Sequence, residues 1–325
     1  MAYRRSYRRR LPVRRRRPTA RKYARPAAKR RYRRSAPRRS MRLPIKRIRN
    51  ITSRKKRDTM IQWRRPTPFD SGSTGLVTLE GVPGSTTPGI TPYIFAYIPT
   101  ARSIDRVLGS VANIQDDSSR TSSNCYPIGL KEEITLTTNT SEMWYWRRIC
   151  FYWKGRDLMD VGPSAGTGTV GAAGSFYEET SVGFPRAWTL LGGQTTPGAN
   201  TQALLIQMRA ALFRGNYFTD WNDYITAKTD NKRLEIVYDK TRKVQSPNDT
   251  GTSRKYNLWH PMRRTLKYNE DEVGGGKETN IALSTMNRDS CGDYYVIDIF
   301  RSSSGAAQSD GLEISSSSTY YWHET

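Results

Sequence analysis

The first 57 residues contain no acidic side chain, and this stretch limits what the chain can fold into more than any other feature. Residues 1–65 carry 29 Lys and Arg against the single acid Asp58, a net charge of +28, whereas residues 66–325 carry 25 Lys and Arg against 28 acids, a net charge of −3. A block of like charges with few large apolar residues buries too little surface to offset the entropy lost on ordering. We therefore expect residues 1–57 to form a disordered basic arm and residues 58–325 to form one folded domain.

The arm favours arginine, with 24 Arg and five Lys among residues 1–65. A guanidinium group matches phosphate oxygens with two parallel donors and stacks on bases, which an ammonium group does less well. Tyrosines spaced among the arginines suit sequence-independent stacking on single-stranded nucleic acid. The residues predicted to bind nucleic acid are Arg4, Arg5, Arg8, Arg9, Arg10, Arg14, Arg15, Arg16, Arg17, Arg21, Arg30, Arg31, Arg33, Arg34, Arg38, Arg39, Tyr3, Tyr7, Tyr23 and Tyr32.

The arm ends in a short basic cluster, Arg54-Lys55-Lys56-Arg57, of the composition found in nuclear localisation signals. We predict that an importin binds this cluster. The basic start of the chain is followed by no apolar stretch of the length that a secretory leader or a membrane span requires. We therefore expect neither secretion nor membrane insertion.

Beyond residue 58, stretches rich in β-branched and aromatic residues alternate with clusters of Gly, Pro, Ser, Thr and Asn, which is typical of strands joined by turns. About ten short strands with long connections indicate an all-β fold, and among such folds a single jelly-roll β-sandwich is favoured. A few short helices are expected in the loops. Strand-like segments lie at 58–65, 76–80, 93–98, 128–138, 143–155, 233–241, 256–262, 263–269, 293–302 and 319–324.

The segment 143–155 carries bulky side chains on both faces of its two-residue period, as expected for a strand buried between other layers. Helical signals are sparse. Thr219 and Asp220 are positioned to cap a short helix over 221–228, and 103–113 is a second helical candidate. Periodicity alone leaves 203–215 open between helix and strand.

The cysteines and histidines predict no catalytic or metal site. Cys125, Cys150 and Cys291 are an odd number without metal-ligand spacing, and we expect them to be buried, reduced and structural. His260 lies between a tryptophan and a proline and is interpreted as a packed structural histidine. His323 lies two residues from the last residue of the sequence and is an equally poor candidate for a nucleophile–base pair.

Two further motifs resemble ligand sites by their letters only. GTGTVG at 166–171 satisfies G-x-G-x-x-G, but flexible residues flank it and no helical pattern follows, so we interpret it as a loop. The acidic stretch 270–272 precedes three glycines and is interpreted as a solvated loop rather than a calcium site. We predict no catalytic residue, no metal and no cofactor.

The separation of charge indicates a division of labour between arm and domain. A polycationic arm binds nucleic acid without reading its sequence, and a near-neutral domain makes contacts with copies of itself or with solvent. A capsid subunit needs this arrangement. The alternative is a cellular RNA- or chromatin-binding protein with a basic tail, which predicts a soluble monomer and a defined RNA or duplex target. An enzyme would need a pocket with perturbed titratable groups, and the sequence nominates none.

Several strings point to a family. MAYRRSYRRR resembles the openings of capsid proteins from small circular Rep-encoding single-stranded DNA viruses. The chain is more specifically similar to the C-terminal half of genomovirus (gemycircularvirus) capsid proteins, and it is more distantly similar to geminivirus capsid proteins. The resemblance covers the arm and roughly residues 200–300. The strings that carry it are VYDKTR (237–242), YNLWHPM (256–262), LKYNEDE (266–272) and GDYYVIDIF (292–300).

The resemblance implies a single jelly-roll subunit, about 60 copies in a small icosahedral shell, and nuclear entry through the arm. The cysteine and histidine pattern proposed as a zinc finger in geminivirus capsids has no counterpart here, so no metal is implied. The expected partners are a circular single-stranded DNA genome, further copies of the chain, a host importin, and a host-cell receptor or vector. The expected locations are the virion and, during assembly, the host nucleus.

Overall fold

Most of the regular secondary structure in the described chain is β-strand. The computed structural model describes residues 45–82, 90–106, 110–111, 113–162, 172–181, 183–193, 198–270, 272–273, 277–278 and 282–324. The helices are α1 (Ile45–Thr52) and α2 (Ala199–Leu212). The strands are β1 (Arg54–Met60), β2 (Gln62–Arg65), β3 (Ser73–Thr74), β4 (Val77–Leu79), β5 (Tyr93–Tyr97), β6 (Asp105–Arg106), β7 (Ser110–Val111), β8 (Asn124–Thr138), β9 (Trp144–Trp153), β10 (Asp160–Val161), β11 (Ala172–Ala173), β12 (Arg186–Gly192), β13 (Glu235–Val244), β14 (Ser253–Pro261), β15 (Leu266–Lys267), β16 (Glu272–Val273), β17 (Lys277–Glu278), β18 (Asp293–Ser302) and β19 (Leu312–Glu324).

Two sheets contain the long strands. The first sheet runs β1-β19-β8-β14, with β15 paired to β8 and β4 to β19, and all its pairings are antiparallel. The second sheet runs β13-β9-β18-β5-β12-β2-β3 and is antiparallel except between β12 and β2. The expectation of an all-β fold is confirmed, and the two large sheets form a sandwich-like arrangement.

The strand order is regular when eight strands of the two sheets, without β12 and the shortest strands, are numbered along the chain. With β1, β5, β8, β9, β13, β14, β18 and β19 as one to eight, the first sheet runs one-eight-three-six and the second runs five-four-seven-two from its edge β13 to β5. Each strand therefore lies beside the one that is its mirror position in the chain: one beside eight, two beside seven, three beside six and four beside five.

The core lies between the sheets and continues beneath α2. Side chains of β8, such as Ile134 and Leu136, share one buried cluster with Trp146 and Trp188 of the second sheet. The opposite side of β9 contributes Ile149 and Phe151 to another cluster together with Leu204, Leu205 and Met208 of α2. A helix over one face and a sheet over the other explain why both faces of β9 are buried, as predicted.

The undecided segment 203–215 is helical through residue 212. Within α2 the buried residues are Thr201, Leu204, Leu205, Met208 and Leu212, a spacing of three to four that places them on one face of the helix. That face packs against the second sheet. Burial of this stripe, rather than a capping side chain, stabilises the helix, because its N-cap Gly198 provides no side-chain hydrogen bond.

Both weaker helix predictions are wrong. In 103–113, β6 and β7 pair with each other as a small antiparallel ladder. A β-branched residue such as Val111 favours a strand over a helix. In 221–228 the chain makes a single turn, in which the Ala227 amide donates to the Asp223 carbonyl. The Asp220 carboxylate does not cap a helix, because it accepts from the Asn216 amide at 2.6 Å and closes the preceding loop.

Regular structure begins before the predicted boundary at residue 58. Helix α1 covers Ile45–Thr52, and β1 pairs with β19 from Arg54 opposite Glu324 to Met60 opposite Ser318. The expectation of a disordered arm up to residue 57 is therefore wrong for its last part. Basic composition misled the prediction because β1 uses alternate positions for burial, with Lys56 and Met60 turned inward and Lys55 and Arg57 exposed.

Candidate nucleic-acid interface

The predicted nucleic-acid-binding residues, Arg4 to Arg39 with Tyr3, Tyr7, Tyr23 and Tyr32, lie outside the described residues. Their role stays a prediction. The predicted localisation cluster Arg54–Arg57, in contrast, is described and forms the first half of β1. Its four side chains do not act alike, since three are exposed and one is buried.

Lys56 is the buried member of the cluster. Its ammonium donates to the carbonyls of Asp116 and Ser119 at 3.0 and 2.7 Å and to Thr121 Oγ1 at 3.1 Å. Glu324 at the end of β19 lies 3.5 Å away and supplies the compensating charge. With β1 paired in the sheet, an importin would find only the side chains of Arg54, Lys55 and Arg57.

We expect Lys56→Ala to lower the free energy of unfolding by about 3 kcal/mol, because it leaves the Glu324 carboxylate buried without a cation. Lys55→Ala, at the exposed neighbouring position, is the matched control and should change stability by less than about 0.5 kcal/mol. Urea denaturation followed by tryptophan fluorescence measures both. Equal small effects would show that the Lys56 contacts contribute nothing.

The most concentrated charge in the described structure lies inside the sandwich. Glu132 on β8 projects from the first sheet, while Arg148 on β9, Arg186 on β12 and Asp298 on β18 project from the second. Each of the four side chains is at most 1% exposed. Two guanidinium groups face two carboxylates, so the cluster is neutral as a whole. We call these four residues the buried charge network.

Arg148 is held on both sides. It donates from Nε and Nη2 to the two oxygens of Asp298 at 2.7 and 2.8 Å, and from Nη1 to Glu132 Oε2. Trp146 Nε1 donates to the same Asp298 carboxylate at 2.8 Å. A bidentate pair of this kind fixes orientation as well as charge.

Arg186 completes the network. Its Nε donates to Glu132 at 3.1 Å and its Nη2 to Asp298 at 3.0 Å. The guanidinium carbon also lies 3.9 Å from the centre of the Trp188 ring, where the negative face of the ring adds a favourable interaction. Every nitrogen of both guanidiniums has an acceptor, since Arg186 Nη1 donates to the Ala187 carbonyl at 2.9 Å. A network satisfied in this way has a structural role.

The pKa values in the network follow from its geometry. Burial alone raises the pKa of Glu132, but the charges of Arg148 and Arg186 outweigh burial and hold the pKa at about 2. For Arg148, burial lowers the pKa and the charges of Asp298 and Glu132 outweigh it, so the pKa lies above its usual value. Both shifts favour the charged forms of Glu132 and Arg148.

His260 on β14 borders the network and stays neutral. Burial, and then the positive charge of Arg148, lower its pKa to about 4. Its Nε2 lies 3.3 Å from Arg148 Nη1, a donor, so this nitrogen acts as the acceptor. The prediction of a packed structural histidine is confirmed, because the residue is 1% exposed.

Asp293 at the start of β18 is a buried carboxyl group outside the network, and no cation is among its hydrogen-bond partners. Burial raises its pKa to about 6 although three donors oppose the shift. Those donors are the Ser284 amide at 2.9 Å, Ser284 Oγ at 2.8 Å and Thr100 Oγ1 at 3.0 Å. This carboxyl group therefore titrates in a mildly acidic range.

The thiols follow the prediction in part. Cys125 and Cys150 are buried, as expected, while Cys291 is partly exposed. Burial raises the pKa of all three, to about 12 for Cys150 and Cys291. Since the thiolate is the reactive form, these cysteines are poor nucleophiles at neutral pH.

The prediction of a solvated loop at 270–272 is wrong for Glu270. The Glu270 side chain is fully buried, pairs with Arg120 and accepts from Ser123 Oγ. Arg120 in turn lies 3.8 Å from the centre of the Tyr268 ring. Asp271 and the GTGTVG segment at 166–171 lie outside the described residues.

An open groove of about 520 Å³ lies along the edge of β19 that faces away from β8, where residues 315–317 have no strand partner between β1 and β4. It is lined by residues 59–62, 75–76 and 315–317, which include no titratable side chain. The Gln62 amide fills the missing strand position by donating to the Ile314 carbonyl at 2.9 Å and accepting from the Ser316 hydroxyl at 2.8 Å. Such a lining offers no acid or base for catalysis.

Within the described ranges there is neither a candidate metal site nor a helix that could cross a membrane. Among these residues no group of three or more His, Cys, Asp and Glu side chains is placed to hold a metal ion. Neither α1 nor α2 has the length and apolar character of a membrane-crossing helix. Comparison with protein-family models and with curated proteins finds no match to the chain.

The sequence interpretation missed the buried charge network. A signal for it exists, because Glu132, Arg148 and Asp298 occupy inward positions of strongly apolar strands, where a charge must have a partner. The sequence does not tell which charges meet, since the paired residues are separated by up to 150 positions along the chain.

Proposed function

We propose that the chain is a viral capsid protein that assembles into a small icosahedral shell and packages a circular single-stranded DNA genome. The observation that carries this proposal is the division of charge. Residues 1–65 have a net charge of +28 and residues 66–325 a net charge of −3. A polyanion is needed to neutralise the arm, while the near-neutral domain is free to pack against copies of itself.

The jelly roll belongs to this proposal, and the strand order supports it. A jelly roll has eight strands in two sheets built from Greek keys, as though a long antiparallel hairpin were rolled up. In that arrangement strand one lies beside eight, two beside seven, three beside six and four beside five, which fits the order of the two sheets here. The resemblance to genomovirus capsid proteins points to the same fold.

Charge matching predicts the length of the packaged genome. About 60 copies of residues 1–65, each with a net charge of +28, would bring on the order of 1,700 positive charges into one shell. Release of counterions favours matching these charges with phosphates, so the shell suits a genome of roughly two thousand nucleotides. A much larger genome would leave most of its phosphates without protein cations.

The test removes the arm and keeps the fold. Because α1 begins at Ile45 and β1 at Arg54, the deletion should cover residues 1–44 and stop before α1. We expect the full chain to yield uniform shells that hold nuclease-resistant single-stranded DNA, and the deletion variant to lose the protected DNA while keeping its strand content by circular dichroism. Replacing residues 1–44 with a Gly/Ser segment of equal length is the matched control for arm length.

Undiminished DNA protection by the deletion variant would overturn the role of the arm. A full chain that stays monomeric and binds a defined RNA or duplex would favour the cellular nucleic-acid-binding protein instead. Electron microscopy of the purified full chain, together with nuclease digestion and extraction of any protected strand, separates these outcomes.

A further inference from the structure

The outward side of the first sheet carries an unusual set of side chains. On the inward side this sheet contributes the core, yet its outward positions include aromatic rings on three adjacent strands: Tyr126 on β8, Trp259 on β14 and Tyr321 on β19. Trp259 is 45% exposed and Tyr126 37%. Exposed aromatic residues of this size on a sheet are a feature that burial in the fold does not explain.

Trp259 and Tyr321 form the centre of this surface. Their ring centres lie 6.0 Å apart with planes inclined by 58°. Gly129 of the intervening strand β8 makes this possible, because a Cβ at that position would lie 2.7 and 2.8 Å from two carbons of the Trp259 ring. The indole therefore lies against the backbone of β8 and presents its other face outward.

Cations surround these rings. Cross-strand pairing puts Arg57 of β1 opposite Tyr321, and Lys55 opposite His323. Lys131 of β8 is paired with Trp259, and its side chain is 55% exposed. His323 in turn is paired with Tyr126, whose hydroxyl donates to the Arg263 carbonyl at 2.9 Å. Paired residues project from the same side of a sheet, so rings and cations share one surface.

The acids on this side are fewer. Glu133, the acid nearest to Lys131 on the outward side of β8, is already engaged by Lys255 at 2.6 Å and by Lys131 at 3.8 Å. Glu313 lies toward the other end of β19. The end of the sheet that carries the rings is thus cationic. We call Lys55, Arg57, Tyr126, Lys131, Trp259 and Tyr321 the aromatic face.

We propose that the aromatic face binds single-stranded nucleic acid, with Trp259 and Tyr321 stacking on bases and Arg57 and Lys131 contacting phosphates. The inference rests on the proposed function and adds a second, folded binding site to the arm. Exposed rings flanked by cations on a sheet provide what a flexible strand requires, since every base has a face to stack and every link a phosphate. A duplex fits poorly, because its bases are already stacked on each other.

Charge and connectivity favour nucleic acid over a protein partner. Residues 45–325, which include α1 and β1, carry 34 Lys and Arg against 29 acids, a net charge of +5, so a second copy of the chain offers this cationic surface no general electrostatic complement. The polycationic arm joins the same sheet through α1 and its edge strand β1. A strand bound by the arm is thereby tethered to the molecule that displays the face, which raises its effective concentration there.

Photo-crosslinking locates the contact directly. The full chain is irradiated with an oligothymidylate that carries 5-iododeoxyuridine, and crosslinked peptides are identified by mass spectrometry. We expect crosslinks at Trp259 and Tyr321 in addition to the arm tyrosines. Crosslinks confined to residues 1–44 would overturn the aromatic face and leave the proposed function intact, whereas no binding by the full chain would overturn both.

Variants supply the energetic test. Trp259→Ala combined with Tyr321→Ala should weaken binding of the full chain to oligothymidylate at least about tenfold, and still do so in high salt, where the electrostatic contribution of the arm has fallen. Phe218→Ala is the matched control, since Phe218 is 61% exposed and lies outside this sheet. An unchanged affinity in the double variant would overturn the proposal.

Variants of the cationic residues test the phosphate contacts separately from base stacking, through the salt dependence of binding. Arg57→Ala combined with Lys131→Ala should reduce the slope of log affinity against log salt by about 1.4, because each phosphate contact to a single strand contributes about 0.7. Lys232→Ala, at another exposed position, should leave the slope unchanged. If the ring variants instead prevent shell assembly and leave binding and crosslinks unchanged, the surface is a contact between subunits and the proposal is wrong.

Discussion

Replacing Glu132 by Gln is expected to lower the free energy of unfolding by about 3–5 kcal/mol, the range for breaking a buried ion pair by removing one partner. The variant leaves Arg148 and Arg186 facing the single carboxylate of Asp298 in a region that solvent does not reach. Glutamine has nearly the shape of glutamate, so the loss reports charge and hydrogen bonding rather than a cavity.

Glu133→Gln is the matched control for this prediction. The two glutamates are neighbours on β8 and point to opposite sides of the first sheet, Glu132 inward and Glu133 outward. Glu133 pairs with Lys131 and Lys255 at the surface, where solvent screens ion pairs and they contribute little to stability. Urea denaturation at neutral pH compares both variants. If Glu132→Gln costs no more than Glu133→Gln, the network does not hold the sheets together.

The network has a consequence for how the sheets pack. Glu132 and His260 belong to the first sheet, whereas Arg148, Arg186 and Asp298 belong to the second. Apolar side chains tolerate many relative positions of two sheets, but bidentate ion pairs tolerate few. Since replacing a whole buried network by apolar groups is often neutral or stabilising, we expect the network to select one alignment of the sheets more than to add stability.

The sequence predicted the fold class where periodicity was strong. The alternating bulky residues of β9 predicted a strand buried on both faces, and the run 293–302 predicted β18 with the same bounds. Prediction failed where local signals competed with tertiary pairing. The cluster Arg54–Arg57 has the composition of a solvated tail, yet it forms an edge strand because Glu324 on β19 compensates the charge of Lys56.

The sites were harder to predict than the strands. The charge of the arm is visible by counting, and from it follows the expected affinity for nucleic acid. The aromatic face is not visible in this way, since Trp259, Tyr321 and Arg57 come together only once the order β1-β19-β8-β14 is known. Glu270 shows the same limit, because its partner Arg120 lies 150 positions away.

We expect His260 and Asp293 to have opposite effects on the free energy of unfolding as the pH falls. The fold depresses the pKa of His260 from 6.5 to about 4, so the unfolded chain takes up this proton first and stability is lost as the pH falls below 6.5. The fold raises the pKa of Asp293 from 3.8 to about 6, so the folded chain takes up that proton first and stability is gained as the pH falls below 6. The two contributions oppose each other.

Two variants separate these contributions between pH 6.5 and 4.5, a window above the usual pKa of Glu132. Asp293→Asn removes the gain, so across this window its free energy of unfolding should fall by about 2 kcal/mol relative to that of the unsubstituted chain. His260→Gln removes the loss, so its free energy of unfolding should rise by about 2–3 kcal/mol relative to that of the unsubstituted chain, since one pKa unit corresponds to about 1.4 kcal/mol. Glutamine keeps an acceptor for Arg148 at position 260. Urea denaturation at several pH values measures the slope of the free energy of unfolding against pH for the unsubstituted chain and for both variants. Other titrating groups contribute equally to all three slopes. Parallel slopes would contradict the balance, because then neither group changes its protonation on folding; opposite departures from the unsubstituted chain would establish that the buried histidine makes the fold acid-sensitive and the buried aspartate compensates.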